Sequence, residues 1–311
     1  MEMYTQQAKT YAAKLGFRAM EIEKVLGYGA YVCLLKNNHA QEVVVKVNKE
    51  FQPYPSLPLY PMKRVQTEAS MYAFLESIDK SYVPKVYGYD STQGILALDR
   101  VGGSHVIFDD LLLSGYVPTV RFMEAFVSFL VQKGEKSKEA SEKIPFFYNQ
   151  QTTKALRSLF VPSQYKDAID RLFQDAEKGG KVVNCSGLSP KNIFVSPSED
   201  TFKLIDFEEA FWGDRVYDPA YFASHLLLYA IASKNSEVYQ RIGHFTEKCF
   251  VDLAFDESDK SRYMRYIGLL LLHRAEGFNL KGIPSNNKKF AELGGALLRE
   301  QRKSEIFEQL I

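Results

Sequence analysis

The sequence predicts an α+β fold in two parts, a small β-rich N-terminal part followed by a larger helical one. Three observations carry the prediction. The first hundred residues hold short β-branched and aromatic runs divided by turn residues. After Ser104 the apolar residues recur at helical spacing. Between the two, Arg100-Val101-Gly102-Gly103-Ser104 reads as a hinge, because its glycines admit backbone angles that other residues resist. The parts are set at residues 1–99 and 100–311.

In the first part, Glu21–Leu26 and Tyr31–Leu35 flank Gly27-Tyr28-Gly29, giving strand, glycine turn, strand. Val43–Val47 is the strongest strand signal in the chain. Phe51–Pro61 holds four prolines and no periodicity, so it reads as an irregular loop. Arg64–Glu76 is helical, with Val65, Ala69 and Tyr72 on one side and Met71 and Leu75 beside them, and Val83–Tyr89 with Gly94–Leu98 closes the sheet. The second part carries helices near residues 122–136, 151–159, 165–177, 218–233, 235–250, 261–275 and 287–298. A short hairpin, Ile193–Val195 with Phe202–Ile205, interrupts them. This order resembles that of a protein-kinase-like bilobal fold, which is the fold expected.

Bulk properties narrow the partners. With 39 basic against 38 acidic residues there is no field to gather nucleic acid or an anionic membrane. Three widely spaced cysteines suit a reducing compartment, and Met1–Lys14 lacks the apolar core of a secretory signal. No apolar run is long enough to span a bilayer, so a cytoplasmic protein with neither nucleic-acid nor membrane partner is expected.

Several residues point to phosphate chemistry. Alternation along Val43–Val47 sets Val44 and Lys46 on one face, where the valine can touch a base while the amine reaches phosphates. Taken alone, the same pattern is the solvent side of an edge strand. Glu68, with Met71 and Leu75 at i, i+3 and i+7, can face that strand and hold the amine. Gly27 and Gly29 would let backbone amides approach phosphates, although two glycines between strands are also an ordinary turn. Alternation through Phe202–Glu208 puts Asp206 and Glu208 on one face, where like charges need a cation between them; Mg²⁺ suits such a pair. Asn192 can add a neutral oxygen. Asp218-Pro219 reads as the opening of a helix, and Cys185 as a small buried residue.

Cys185-Ser186-Gly187-Leu188-Ser189-Pro190-Lys191-Asn192, followed by Asp206-Phe207-Glu208, resembles the active-site segment of aminoglycoside/choline kinase-like phosphotransferases. That family writes it His-Gly-Asp-x-x-x-x-Asn and then Asp-x-Glu or Asp-x-Asp. The 51–61 loop and Glu209-Ala210-Phe211-Trp212-Gly213 are most similar to the methylthioribose kinase branch. The resemblance implies that Lys46 and Glu68 hold the phosphates of ATP, Leu98 and Asp99 lie by the adenine, and Asn192 with Asp206 holds Mg²⁺. It also implies that Asp218 braces the catalytic loop.

Gly187 stands where the family carries its catalytic aspartate, and glycine has no group to accept a proton. The expected function is an ATP- and Mg²⁺-binding pseudokinase with lost or strongly reduced transfer to a small hydroxylated substrate. One alternative is an active kinase using Glu209, Asp214 or the substrate as the base. Another is nucleotidyl transfer at the same site.

Overall fold

In a computed structural model, residues 2–18, 20–26, 30–50, 61–277, 283 and 288–299 are described. Their elements gather into two units: Met1–Gly103 with Lys143–Phe147 and Lys203–Ala210, and Ser104–Glu142 with Tyr148–Phe202 and Phe211–Ile311.

The first unit is built on an antiparallel sheet whose β-branched strands bury one face. Helix α1 (Glu2–Lys14) precedes β1 (Glu21–Leu26), β2 (Ala30–Lys36) and β3 (Glu42–Asn48), then α2 (Arg64–Ile78), β4 (Val86–Asp90) and β5 (Ile95–Leu98). Strand order is β1-β2-β3-β5-β4. Val43, Val45 and Val47 of β3 join Cys33, Leu35, Ile95 and Ala97 in a core that Ala8, Tyr11 and Ala12 of α1 complete. The sequence gives little warning of α1, because its buried positions are two alanines and one tyrosine among polar residues. The other face of β3 carries Val44 and Lys46, paired across to Leu98 and Leu96.

Strand β4 starts at Val86, three residues later than expected. Pro84 has no N–H for a ladder, and Lys80–Tyr82 forms a short 3₁₀ turn. At the β4–β5 turn Gly94 (φ +68°) is required: its carbonyl accepts from Asn48 N at 2.8 Å, and a Cβ would meet Asn48 O at 2.8 Å.

The second unit runs β6 (Val106–Ile107), α3 (Phe108–Leu113), α4 (Val120–Ser141), α5 (Gln150–Ser158), α6 (Lys166–Lys178), β7 (Lys181–Asn184) and β8 (Ile193–Ser196). Then come β9 (Thr201–Leu204), β10 (Phe211–Asp214), α7 (Tyr217–Ser233), α8 (Ser236–Asp252), α9 (Glu257–Gly277) and α10 (Lys288–Leu298). The last residues of β9 open the 203–210 segment of the first unit. Phe122, Phe126 and Phe129 of α4 meet Phe202, Phe222 and Phe245 in an aromatic core. Helices α9 and α10 approach at Gly268 and Gly294, where a Cβ on Gly294 would lie 2.8 Å from Gly268 O. Strands β7 and β10 pair antiparallel, Trp212 opposite Val183, and set the start of the 185–192 loop. Among the described residues no helix is long and apolar enough to cross a membrane.

Two histidines are buried in this unit, His225 on α7 and His273 on α9. Burial, with Arg274 adding repulsion, holds both well below the usual histidine range. The unfolded chain takes up those protons below about pH 6.5 while the folded chain does not. Stability is therefore complete above about pH 6.5 and is lost as pH falls, by up to about 1.4 kcal/mol per pH unit for each histidine. Denaturant unfolding at pH 7.5 and 5.5 checks this. His225→Gln, which keeps a donor for the Tyr221 carbonyl, is expected to remove about one proton's worth of the slope, and an unchanged slope would contradict the assignment.

Candidate nucleotide and metal site

In the first unit Lys46 is the centre of a charge cluster. Its Nζ donates to Asp206 Oδ1 at 2.6 Å and lies 2.8 Å from Glu208 Oε2 and 3.0 Å from Glu68 Oε2. Only the Asp206 contact has hydrogen-bond alignment; Glu68 Oε2 and Glu208 Oε2 are buried and accept no hydrogen bond among the described residues. The side chains of Glu68, Glu208 and Asp206 are 1%, 15% and 37% exposed, so the three acids run from interior to surface. Burial lowers the Lys46 ammonium, but Asp206, Glu208 and Glu68 outweigh it and hold the group well above the usual lysine range. Glu68 is pushed up to about 7, by burial first and by Asp206 and Glu208 beside it, against the pull of Lys46.

Glu68 reaches the cluster from α2, whose Val65, Met71, Tyr72 and Leu75 are buried as the helical spacing requires. Asp206 and Glu208 converge by a route other than strand alternation. Strand β9 ends at Leu204, and Asp206 takes a left-handed backbone (φ +70°) that turns the chain before Glu208. Tyr72 backs this turn: its hydroxyl accepts from Asp206 N at 3.4 Å, and its ring meets Phe207 edge-on at 5.0 Å. The acids thus belong with the sheet unit, although in sequence they lie within the helical part, between β9 and β10. On the Lys46 face, Val44 is half-buried opposite the buried Leu98, an apolar pair fit to flank a flat base. Asp99 follows, exposed, with its N–H on Lys85 O at 2.8 Å. Gly27 and Gly29 lie outside the described residues.

In the second unit the 185–192 loop is pinned by Asp218, as the resemblance implies, and by Lys133 and Arg157, which the sequence reading missed. Asp218 lies in the first turn of α7, at the opening of the helix as expected, wholly buried, and accepts from Cys185 N (2.7 Å), Ser186 N (3.2 Å) and Lys133 Nζ (2.7 Å). Lys133 also donates to Val183 O at 2.6 Å. Arg157 donates to Ser186 O at 3.3 Å and to Tyr217 Oη at 2.9 Å. Gly187 O accepts from Ser189 N at 2.7 Å and from Asn192 Nδ2 at 3.0 Å, which directs the Asn192 amide nitrogen onto the loop. Cys185 is buried and its thiol is pushed well up by that burial, so it is inert. Asp214 is buried on β10, 2.9 Å from Arg262 Nε, and burial raises it to about 6 despite that guanidinium; it belongs to a structural ion network with Asp259 and Arg215.

A signal existed for two of the missed residues. Lys133 continues the buried stripe Phe126, Phe129, Leu130, Ser137 of α4, where a lysine needs a partner. Arg64 opens α2, where the helix dipole disfavours a cation and no acid occupies the first turn.

No family model matches the chain, and no curated protein matches it. Solved structures do. An ethanolamine kinase of Plasmodium vivax is 14% identical with TM-score 0.56, covering 95% of this chain and 85% of its own. An amicoumacin kinase in complex with AMP-PNP, Ca²⁺ and Ami is 13% identical with TM-score 0.61, covering all of both chains. A macrolide 2′-phosphotransferase type I is 15% identical with TM-score 0.59, covering 94% of this chain and 96% of its own. The fold is that of the small-molecule kinases. It is the kinase-like α+β arrangement expected from the sequence, with a sheet unit and a helical unit.

Within this kinase-like fold the cluster fits a divalent cation. Glu68, Asp206 and Glu208 each offer an oxygen, all within 4.8 Å of one another. Carboxylate oxygens are the donors that a hard cation takes, and a cation there would take the place that the Lys46 amine holds against these acids.

Proposed function

We propose that this protein binds ATP with Mg²⁺ in the manner of a small-molecule kinase, and that its transfer of phosphate to a small hydroxylated acceptor is lost or strongly reduced. The observation that carries the reading is the Lys46 amine held at 2.6–3.0 Å from Glu68, Asp206 and Glu208 on the face that also bears Val44 and Leu98. Glu68 keeps the amine in place, Lys46 takes phosphate oxygens, and Asp206 with Glu208 holds the cation, to which the resemblance adds Asn192. A bound cation would neutralise the phosphates and help orient them.

Reduced transfer follows from Gly187, which has nothing to take the acceptor's proton. Of the acids that could replace it, Asp214 is committed to Arg262, which favours the pseudokinase over the working kinase. The resemblance to the methylthioribose kinase branch rests on the 51–61 loop, of which residues 51–60 lie outside the described residues, and on Glu209-Ala210-Phe211-Trp212-Gly213.

Lys46→Met tests the site. It is expected to weaken Mg-nucleotide at least tenfold by calorimetry, because a charge-assisted phosphate contact is worth about 1.5–3 kcal/mol. Asp206→Asn should remove the dependence of nucleotide affinity on the cation. Unchanged binding in both variants would show that nucleotide sits elsewhere.

A further inference from the structure

Resting on the nucleotide and cation reading of the Lys46 cluster, we propose that Arg64 makes divalent-cation binding at Asp206 and Glu208 conditional on a bound nucleotide. Arg64 is fully buried at the first residue of α2. Its Nε lies 3.2 Å from Glu208 Oε2, on the carboxylate oxygen that also meets Lys46. One terminal nitrogen donates to Lys49 O (2.7 Å) and Pro61 O (3.1 Å), and the other to Asn48 Oδ1 (3.5 Å). These anchors lie on both sides of the 51–60 segment, so the guanidinium is tied to the backbone and cannot swing away. Its charge is also permanent, and the N-terminal dipole of α2 adds to it.

The cluster therefore sets three carboxylates, Glu68, Asp206 and Glu208, against two cations of different mobility. Lys46 sits on a flexible stem and can turn to a phosphate chain. Arg64 cannot. A bare divalent cation taking Asp206 and Glu208 would have to displace Lys46 Nζ, and would still face the fixed guanidinium beside Glu208. A triphosphate changes both conditions: it draws Lys46 to its own oxygens and brings negative charge and further oxygen ligands. Arg64 meanwhile keeps Glu208 aimed at the cluster, as a partner behind a metal ligand does. Arg64 is thus a positioning residue that excludes the cation until nucleotide arrives.

The test follows free Mn²⁺ by electron paramagnetic resonance on the full chain, with and without AMP-PNP. Wild type is expected to bind Mn²⁺ at least tenfold more tightly with nucleotide than without. Arg64→Met is expected to bind Mn²⁺ alone at least tenfold more tightly than wild type does, and adding Glu208→Gln should cancel the gain. Arg64→Gln removes the charge and keeps a polar amide near the Nε position, so it should show the same gain. If wild type binds Mn²⁺ equally well with and without nucleotide, the inference is wrong. It is also wrong if both Arg64 variants only lower the melting temperature. If wild type binds AMP-PNP under no condition, the nucleotide reading falls and takes this inference with it.

Discussion

Asp218→Ala is expected to cost the helical unit about 3–5 kcal/mol, the usual result of removing one partner of a buried ion pair. Lys133 is 2% exposed and would keep only the Val183 carbonyl, and Cys185 N and Ser186 N would lose their acceptor. The unpaired buried ammonium and the two stranded amides, about 1–3 kcal/mol each, both contribute to that cost. Trp212, the single tryptophan of the chain, lies on β10 opposite Val183, so its fluorescence reports this region during denaturant unfolding. Lys133→Met combined with Asp218→Ala should recover part of the loss, because the stranded charge is gone while the two amides remain unpaired. A double variant as unstable as Asp218→Ala would mean that bracing of the loop, and not the ion pair, carries the energy. Asp218→Ala with wild-type stability would refute the whole account of the brace.

What the sequence could tell depended on how local each cause was. The alternation in β3 sets Lys46 opposite the Val43, Val45, Val47 core face, and the α2 spacing turns Glu68 inward; both follow from residues within one element. Convergence of Asp206 and Glu208 was anticipated for a reason that does not hold. A single left-handed residue after β9 aims them, and an aspartate in that conformation has no distinct pattern in sequence. Arg64, Lys133 and Arg157 were missed because their partners, Glu208, Asp218 and Ser186, are remote along the chain. Helix α1 was missed for the opposite reason: its buried side is made of small residues, so it shows weak periodicity.

Gly187→Asp is expected to raise phosphoryl transfer by about 10²–10⁴-fold, the range that a positioned general base contributes. That is about 3–5 kcal/mol of barrier. The size of the gain depends on a backbone held in one conformation, and the loop is so held without help from a side chain at 187. Cys185 N and Ser186 N are fixed by Asp218, Ser186 O by Arg157, and Gly187 O by Ser189 N and Asn192 Nδ2. The left-handed strain in this turn falls on Ser186 (φ +58°). The measurement is ADP release with Mg-ATP and panels of sugars, amino alcohols and aminoglycosides, for wild type, Gly187→Asp and Gly187→Asn. Asparagine has nearly the same shape but is not a base, so it should stay at the wild-type rate, and nucleotide affinity should change little in either variant. If aspartate and asparagine behave alike, the missing proton acceptor is not what limits the reaction, and a pseudokinase explained by position 187 is excluded.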